Sequence, residues 1–267
     1  MDREPFFRAT DDPTRFEPTD VARGPWGHDS LHGHVLGGLM AHVIEVRHGD
    51  PAFQPARLTV DMFRPPTFGS ATVTTEVVRD GNRVRAVDAA LAVDGVRIAR
   101  ASLVMLRRAE QAPEQPAGQP PGHVWSPPSW DAPPPTALEG FDRESDRDPA
   151  WETRTVSGGP DAPAARHAAW MRELRHLVAG VDHSPLVRAA MAADFTNPLA
   201  NSGDRGLEFV NADYTLYLHR LPVGEWIGVE ASSHHSAQGI AVATCALYDL
   251  DGPIGRTAVA AVANRHP

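Results

Sequence analysis

The sequence predicts an α+β fold of two tandem units, each built from one long helix wrapped by an antiparallel β-sheet. The main observation is a pattern that occurs twice: segment 58–66 matches segment 214–222, with Arg64 and Arg220 at an offset of 156. Near-constant offsets over a long stretch indicate two related folding units. An interface between such units is a common place for a ligand crevice.

The first unit combines a buried helix with strand hairpins. Leu36–Val46 is apolar on nearly all sides, which predicts a helix enclosed by other elements. Ala71–Val78 and Val84–Val93 read as two strands joined by a turn at residues 79–82.

The second unit repeats this arrangement. Trp151–Val156 and Arg166–Glu173 are predicted strands, and Ser184-Pro185 is a typical N-cap followed by proline at the first helical position. A helix is therefore predicted from Leu186 to about Phe195, and a second meander follows it.

A proline-rich segment separates the two units. Nine prolines between positions 108 and 135 exclude a helix or a central strand there. The predicted division is an N-terminal domain at 1–107, a linker at 108–149 and a C-terminal domain at 150–267.

Composition excludes several classes of function. A net charge of -9 argues against nucleic-acid binding, and no apolar stretch approaches the roughly 20 residues that span a bilayer. All 25 basic residues are arginine, which excludes Schiff-base chemistry on a lysine. The single cysteine, Cys245, forbids an intrachain disulfide and favours the cytoplasm. No histidine spacing is typical of a zinc site, so no metal is expected.

Several short motifs resemble one known family, the acyl-CoA thioesterase II family. Their order and spacing carry the likeness, which covers most of the chain outside the linker. The motifs are Gly33–Gly37, Glu45, Phe63–Pro65, Glu76 with Arg79–Asn82, Asp194-Phe195, Asp213, His219-Arg220 and Gly224–Trp226.

The resemblance implies two fused hotdog domains, that is, a double hotdog. It also implies hydrolysis of an acyl-CoA or acyl-carrier-protein thioester to a free acid and a thiol, without a covalent intermediate or a cofactor. In this reading Asp194 orients the water, and Asn211 stands where the family often has threonine. The position of the family glutamine falls on Ala260, so that amide is absent. Burial of Asp194 among apolar neighbours would raise its pKa and suit a general base.

Candidate substrate contacts lie at the predicted start of the first helix and in the last hairpin. Backbone N–H groups around Gly33 suit a thioester carbonyl or a phosphate, because helix N-termini bind anions. His34 is a further candidate, although packing in a loop is the favoured interpretation for it. Gly37 lowers helix propensity, which indicates close approach of a strand or ligand. Gln238 is a candidate substitute for the missing glutamine.

Strand alternation predicts that Asn211, Asp213 and Thr215 share one face. Asp213 has a second possible use, which is an ion pair with Arg220.

Two other functions remain open. Residues 194–199 resemble a hotdog hydratase signature, although Ala200 stands where the catalytic histidine belongs. The missing glutamine leaves open a protein that binds acyl thioesters without cleaving them. A homodimer or homotetramer is expected, because exposed sheet edges can pair between chains.

Overall fold

A computed structural model describes residues 3–24, 29–110, 132–138, 149–158, 167–203 and 205–264. Most of the predicted linker, residues 111–131 and 139–148, lies outside the described residues, as does Arg166 at the predicted start of a strand. None of the helices in the described part of the chain is long and apolar enough to cross a membrane.

The described residues form three α-helices and fifteen strands. The helices are α1 (Gly33–His48), α2 (Pro185–Asp194) and α3 (Thr196–Asn201). The strands of the first half are β1 (Phe7–Ala9), β2 (Arg15–Pro18), β3 (Phe53–Met62), β4 (Ala71–Asp80), β5 (Val84–Val93) and β6 (Val96–Arg107). Those of the second half are β7 (Trp151–Ser157), β8 (Ala168–Glu173), β9 (Ser202–Gly203), β10 (Gly206–Leu207), β11 (Phe209–Asn211), β12 (Asp213–Leu218), β13 (Ile227–Ala237), β14 (Ile240–Asp249) and β15 (Gly252–Ala263).

A single antiparallel sheet runs through both halves of the molecule. Its strand order is β1-β2-β4-β5-β6-β3-β12-β15-β14-β13-β8-β7, with β11 paired to β15. The halves join where β3 pairs antiparallel with β12, and the register there places Thr59 opposite Thr215. The side chains of this central pair are hydrogen-bonded at 3.1 Å. The predicted α+β architecture with helices enclosed by a sheet is confirmed.

The internal duplication is visible in the strand bounds. Adding 156 to the first and last residue numbers of β5 and β6 gives the bounds of β14 and β15. Adding 156 to the first residue number of β4 gives the first residue of β13. Even an irregularity is repeated: the register shifts by one at Ala56 in β3 and again around Ala212, between β11 and β12. The two halves therefore share backbone detail as well as general shape.

The two long helices pack against each other inside the curved sheet. Helix α1 begins at Gly33, three residues before the predicted start, and ten of its residues are buried. Helix α2 begins as predicted, with the Ser184 hydroxyl accepting a hydrogen bond from Val187 N at 3.1 Å. Buried side chains from both halves form one hydrophobic core. The helix ends of one half are thereby brought against residues of the other.

Candidate active site

Asp194 and Asn211, the two predicted catalytic residues, lie together at the end of α2. Asn211 Nδ2 donates to Asp194 Oδ1 at 2.9 Å. Burial raises the pKa of Asp194 from 3.8 to about 6, although the Asn211 hydrogen bond acts in the opposite direction. A carboxylate with such a pKa is ionised at neutral pH and is a stronger base than an exposed aspartate.

The other side of the Asp194 carboxylate faces the first residue of α1. A Cβ placed on Gly33 would lie 3.0 Å from Asp194 Oδ2, so only glycine leaves that space free. His32 is the N-cap residue, and its side chain makes no capping hydrogen bond. The first-turn N–H groups of a helix have no intrahelical partner and carry the positive end of the helix dipole. The start of α1 can therefore hold a carbonyl oxygen that becomes negative beside Asp194.

The predicted common face for Asn211, Asp213 and Thr215 is wrong. Asn211 reaches Asp194, and Tyr214 Oη donates to Ala190 O at 3.0 Å, so these two residues both point at α2 despite being three apart. The bulge around Ala212 causes this, because an extra residue exchanges the faces of the strand beyond it. Asp213 and Thr215 consequently face the opposite side.

Asp213 does not pair with Arg220 either. Its Oδ1 accepts from Ala260 N at 2.7 Å. Arg220 instead holds the buried Asp249 carboxylate with two hydrogen bonds of 2.5 and 2.6 Å.

The alanines of β15 that share the face of Asn211 lie next to the position expected for the family glutamine. Asn211 is opposite Ala261 in the β11–β15 register, so Ala261 and Ala263 share its face. Ala260 lies on the other face and is not directed at Asp194. All three positions are alanine, so β15 supplies no side-chain amide to the site from any of them.

Gln238 lies at the tip of the β13–β14 hairpin, away from the Asp194–Asn211 pair. It is exposed and has a left-handed backbone with φ 53°. The next residue, Gly239, accepts a hydrogen bond from Ala263 N at 2.8 Å. The hairpin tip is therefore two positions beyond Ala261, the partner of Asn211.

Gly37 and His34 are enclosed by protein side chains. A Cβ on Gly37 would lie 1.8 Å from Tyr214 Oη, so the close approach predicted there is made by a tyrosine. The His34 ring packs edge-on against Phe6 and Trp151, and its Nδ1 is 2.7 Å from His32 Nδ1. Of the four predicted substrate contacts, Gly33 is the one brought to the carboxylate.

The internal duplication relates the Asp194 site to a second junction, where the end of α1 meets the start of α2. This second junction lacks the same chemistry. There Glu45 of α1 makes a side-chain hydrogen bond with Ser184, at the start of α2. The residue equivalent to Asn211 is Pro55, which is opposite Met105 as Asn211 is opposite Ala261. Proline has no side-chain donor, so the acid–amide pair is formed at only one of these two junctions.

Sequence analysis missed a buried polar cluster formed by His32, His34 and Glu173. The strand that ends in Glu173 carries Arg172 just before it, which resembles an ordinary exposed strand end. Its burial arises from packing between the halves, and no local signal in the sequence indicates it. In the described residues, no three His, Cys, Asp or Glu side chains are grouped to hold a metal ion.

Two models of one protein family match this chain. The family model for the acyl-CoA thioesterase N-terminal domain matches residues 22–106, and the model for the C-terminal domain matches residues 109–261. A search of curated proteins found no match.

Solved structures show the same fold at low sequence identity. A thioesterase described as putative from Novosphingobium aromaticivorans is 23% identical, with 98% of this chain and 100% of that chain covered and a TM-score of 0.71. A thioesterase II from Thermobifida fusca, also described as putative, is 15% identical, with 96% of each chain covered and a TM-score of 0.72. An acyl-CoA thioesterase II from Mycobacterium marinum is 18% identical, with 97% and 96% covered and a TM-score of 0.65. These likenesses confirm the double hotdog fold.

Proposed function

Because the chain belongs to the acyl-CoA thioesterase family, we propose that Asp194 is the base of a thioester hydrolase. The observation that carries the proposal is the position of this carboxylate. It is buried, it is held by Asn211 at 2.9 Å, and it lies against the first turn of a helix from the other half. This arrangement supports the proposal of a base beside a helix end that can bind an anion.

In the proposed reaction, Asp194 accepts a proton from a water as the water oxygen attacks the thioester carbonyl carbon. The carbonyl oxygen becomes an oxyanion and is stabilised by N–H groups of the first turn of α1. Collapse of the tetrahedral intermediate breaks the C–S bond, and the thiolate takes the proton from Asp194. The products are a carboxylic acid and a thiol.

Asn211 has two functions in this scheme. Its Nδ2–H fixes one carboxylate oxygen, which leaves its Oδ1 as an acceptor for the second hydrogen of the water. Ala261 and Ala263 provide no further polar group on that face. The water is therefore held by fewer side chains than the family pattern implies, and a modest kcat is expected.

The direct test is a thiol-release screen over acyl-CoA substrates from acetyl to palmitoyl, with aryl-CoA and acyl-carrier-protein substrates included. Release with at least one class supports the proposal and identifies the acyl group. Tight acyl-CoA binding in calorimetry without thiol release would instead support a binding protein, the second candidate, which the alanines of β15 favour.

The pH dependence of hydrolysis is expected to show an acid limb. Asp194 must be ionised to act as a base, so kcat should fall as the pH drops through about 6. Asn211→Ala removes a hydrogen bond that lowers this pKa, so the limb should move to higher pH. Thr215→Ala, on the opposite face, is the matched control and should leave the limb in place. An unchanged limb in Asn211→Ala would contradict the assignment.

Self-association through the outer face of the sheet is also part of the proposal. Ile240 and Val262 are paired across β14 and β15 and are 60% and 57% exposed, and Val242 nearby is 48% exposed. Such an apolar group on a sheet surface is typical of a protein contact. A homodimer or homotetramer is therefore proposed. A cytoplasmic location is proposed as well, in keeping with a lone cysteine that is buried as a free thiol.

A further inference from the structure

A buried polar cluster lies between the two halves, next to the start of α1. It consists of His32, His34 and Glu173, with Trp151 packed edge-on against both histidine rings. The side chains of His34 and Glu173 are only 4% and 3% exposed. His34 Nε2 and both Glu173 carboxyl oxygens lack a hydrogen-bond partner, and His34 Nε2 is 3.9 Å from Glu173 Oε2.

An arrangement of this kind lowers the stability of the fold, which indicates that it is kept for a function. A buried polar atom without a partner destabilises a protein, because it has lost its hydrogen bonds to water. Three such atoms belong to this pair of side chains, and the aromatic rings of Phe6 and Trp151 pack against the His34 ring. His32 and His34 flank Gly33, where an added Cβ would lie 3.0 Å from Asp194 Oδ2.

The two histidines have coupled tautomers. Their Nδ1 atoms are 2.7 Å apart, so one hydrogen must lie between them, and one ring donates while the other accepts. If His34 donates, its Nε2 is a bare acceptor facing Glu173, and the Nε2 of His32 carries a hydrogen. If His32 donates, these assignments are reversed. The protonation state of Glu173 therefore decides whether Nε2 of His32, the outer nitrogen of the histidine pair, is a donor or an acceptor.

We propose that Glu173 is a positioning residue that acts through His34 to keep an N–H on the outer nitrogen of His32, beside the helix end that receives the thioester carbonyl. The carboxylic acid form of Glu173 donates towards His34 Nε2, His34 Nδ1–H donates to His32 Nδ1, and His32 Nε2–H remains a donor at the start of α1. This inference rests on the proposed hydrolase function.

Loss of one proton reverses the chain. Glu173 passes its hydrogen to His34 Nε2, His34 passes its Nδ1 hydrogen to His32, and His32 releases its Nε2 hydrogen to solvent. The cluster then holds a carboxylate, and the outer nitrogen of His32 is a bare acceptor that repels a carbonyl oxygen. The number of bound protons falls by one, and no other group is consumed.

The surroundings favour the uncharged form at neutral pH. Burial raises the pKa of Glu173 to about 8 and lowers the pKa of His32 to about 4. Burial also lowers the pKa of His34, and the neighbouring His32 and His183 add to this effect. His183, in the loop before α2, accepts from Leu177 N at 2.8 Å. Arg175, two residues after Glu173, donates to Glu4 O at 2.9 Å.

The kinetic test compares the wild type with Glu173→Gln. Glutamine keeps the shape and a donor N–H but cannot ionise, so it holds the neutral arrangement at every pH. Wild-type kcat should fall about tenfold between pH 7 and pH 9, because about a tenth of a group with pKa 8 stays protonated at pH 9. Glu173→Gln should keep its kcat over this range, and the exposed control Glu225→Gln should behave as wild type. An alkaline limb that is the same in Glu173→Gln would overturn the proposal.

A second measurement does not depend on hydrolysis. Nitrogen-15 NMR shifts distinguish the two histidine tautomers, and the spectra of His32→Gln and His34→Gln identify the signals. Both histidines should change tautomer together with a midpoint near pH 8 in the wild type, and neither should do so in Glu173→Gln. Independent behaviour, or a change that persists in Glu173→Gln, would overturn the proposal. Because this readout needs no substrate, it separates failure of the relay from failure of the proposed function.

Discussion

Replacing Asp194 by Asn is expected to lower kcat for acyl-CoA hydrolysis by a factor of about 10²–10⁴, the usual contribution of a general base. An amide cannot accept the proton of the attacking water, whereas its size and its contact with Gly33 are nearly unchanged. KM should change little, because the helix end that receives the carbonyl is retained. Thiol release under single-turnover and steady-state conditions measures both quantities.

The same substitution is expected to stabilise the fold. A carboxyl whose pKa rises from 3.8 to about 6 on folding disfavours the folded state when it is charged. This destabilisation is complete above about pH 6, and it disappears as the pH falls to 3.8, the pKa of the carboxyl in the unfolded chain. At pH 7 it is worth up to about 3 kcal/mol, from 1.36 kcal/mol per unit of pKa. Asp194→Asn should therefore show a higher Tm together with lost activity.

Asp88→Asn, an exposed carboxylate on β5, is the matched control and should change neither property. Full turnover in Asp194→Asn would eliminate this residue as the base. Lost turnover with a lower Tm and altered circular dichroism would show a folding defect instead.

Gly37→Ala is expected to destabilise the protein by about 1–5 kcal/mol. The added methyl would lie 1.8 Å from Tyr214 Oη and 2.8 Å from Cζ, so the fully buried ring must move. Movement breaks the hydrogen bond from Tyr214 to Ala190 O and separates α1 from the second half. Overpacking of a core costs about 1–3 kcal/mol, a broken buried hydrogen bond adds a similar amount, and alanine returns only about 1 kcal/mol of helix propensity.

Gly38→Ala provides the comparison, because it gains the same propensity in the same helix. Its new methyl would lie 2.6 Å from Cγ of the buried Met191 side chain, which has more rotatable bonds than a tyrosine ring, so a smaller loss is expected. Denaturant unfolding of the two variants and of the Gly37→Ala, Tyr214→Phe double variant measures the difference. Equal stabilities for Gly37→Ala and Gly38→Ala would show that the tyrosine contact is not restrictive.

Much of the fold follows from the sequence because repeats and apolar runs are local signals. The offset of 156 between the halves and the N-cap at Ser184 are both reproduced in the structure. Asp194 and Asn211, the two residues predicted to be catalytic, are in contact. The division into 1–107, 108–149 and 150–267 remains a prediction.

The wrong common face for Asn211, Asp213 and Thr215 has one physical origin, which is that strand faces depend on register. One extra residue at Ala212 separates Asn211 from Asp213 and Thr215, and simple alternation cannot reveal such a bulge. Register also decides which alanines of β15 share the face of Asn211, and these are Ala261 and Ala263 rather than Ala260. Burial of Glu173 depends on contacts between distant segments, which a single sequence does not display.

The join between β3 and β12 makes the two halves thermodynamically inseparable. Either half alone would expose a central strand edge and an apolar helix flank, which invites aggregation. A single cooperative transition on heating, without a half-melted intermediate, follows from this shared core. Unfolding of either half would therefore separate the start of α1 from the Asp194 carboxylate.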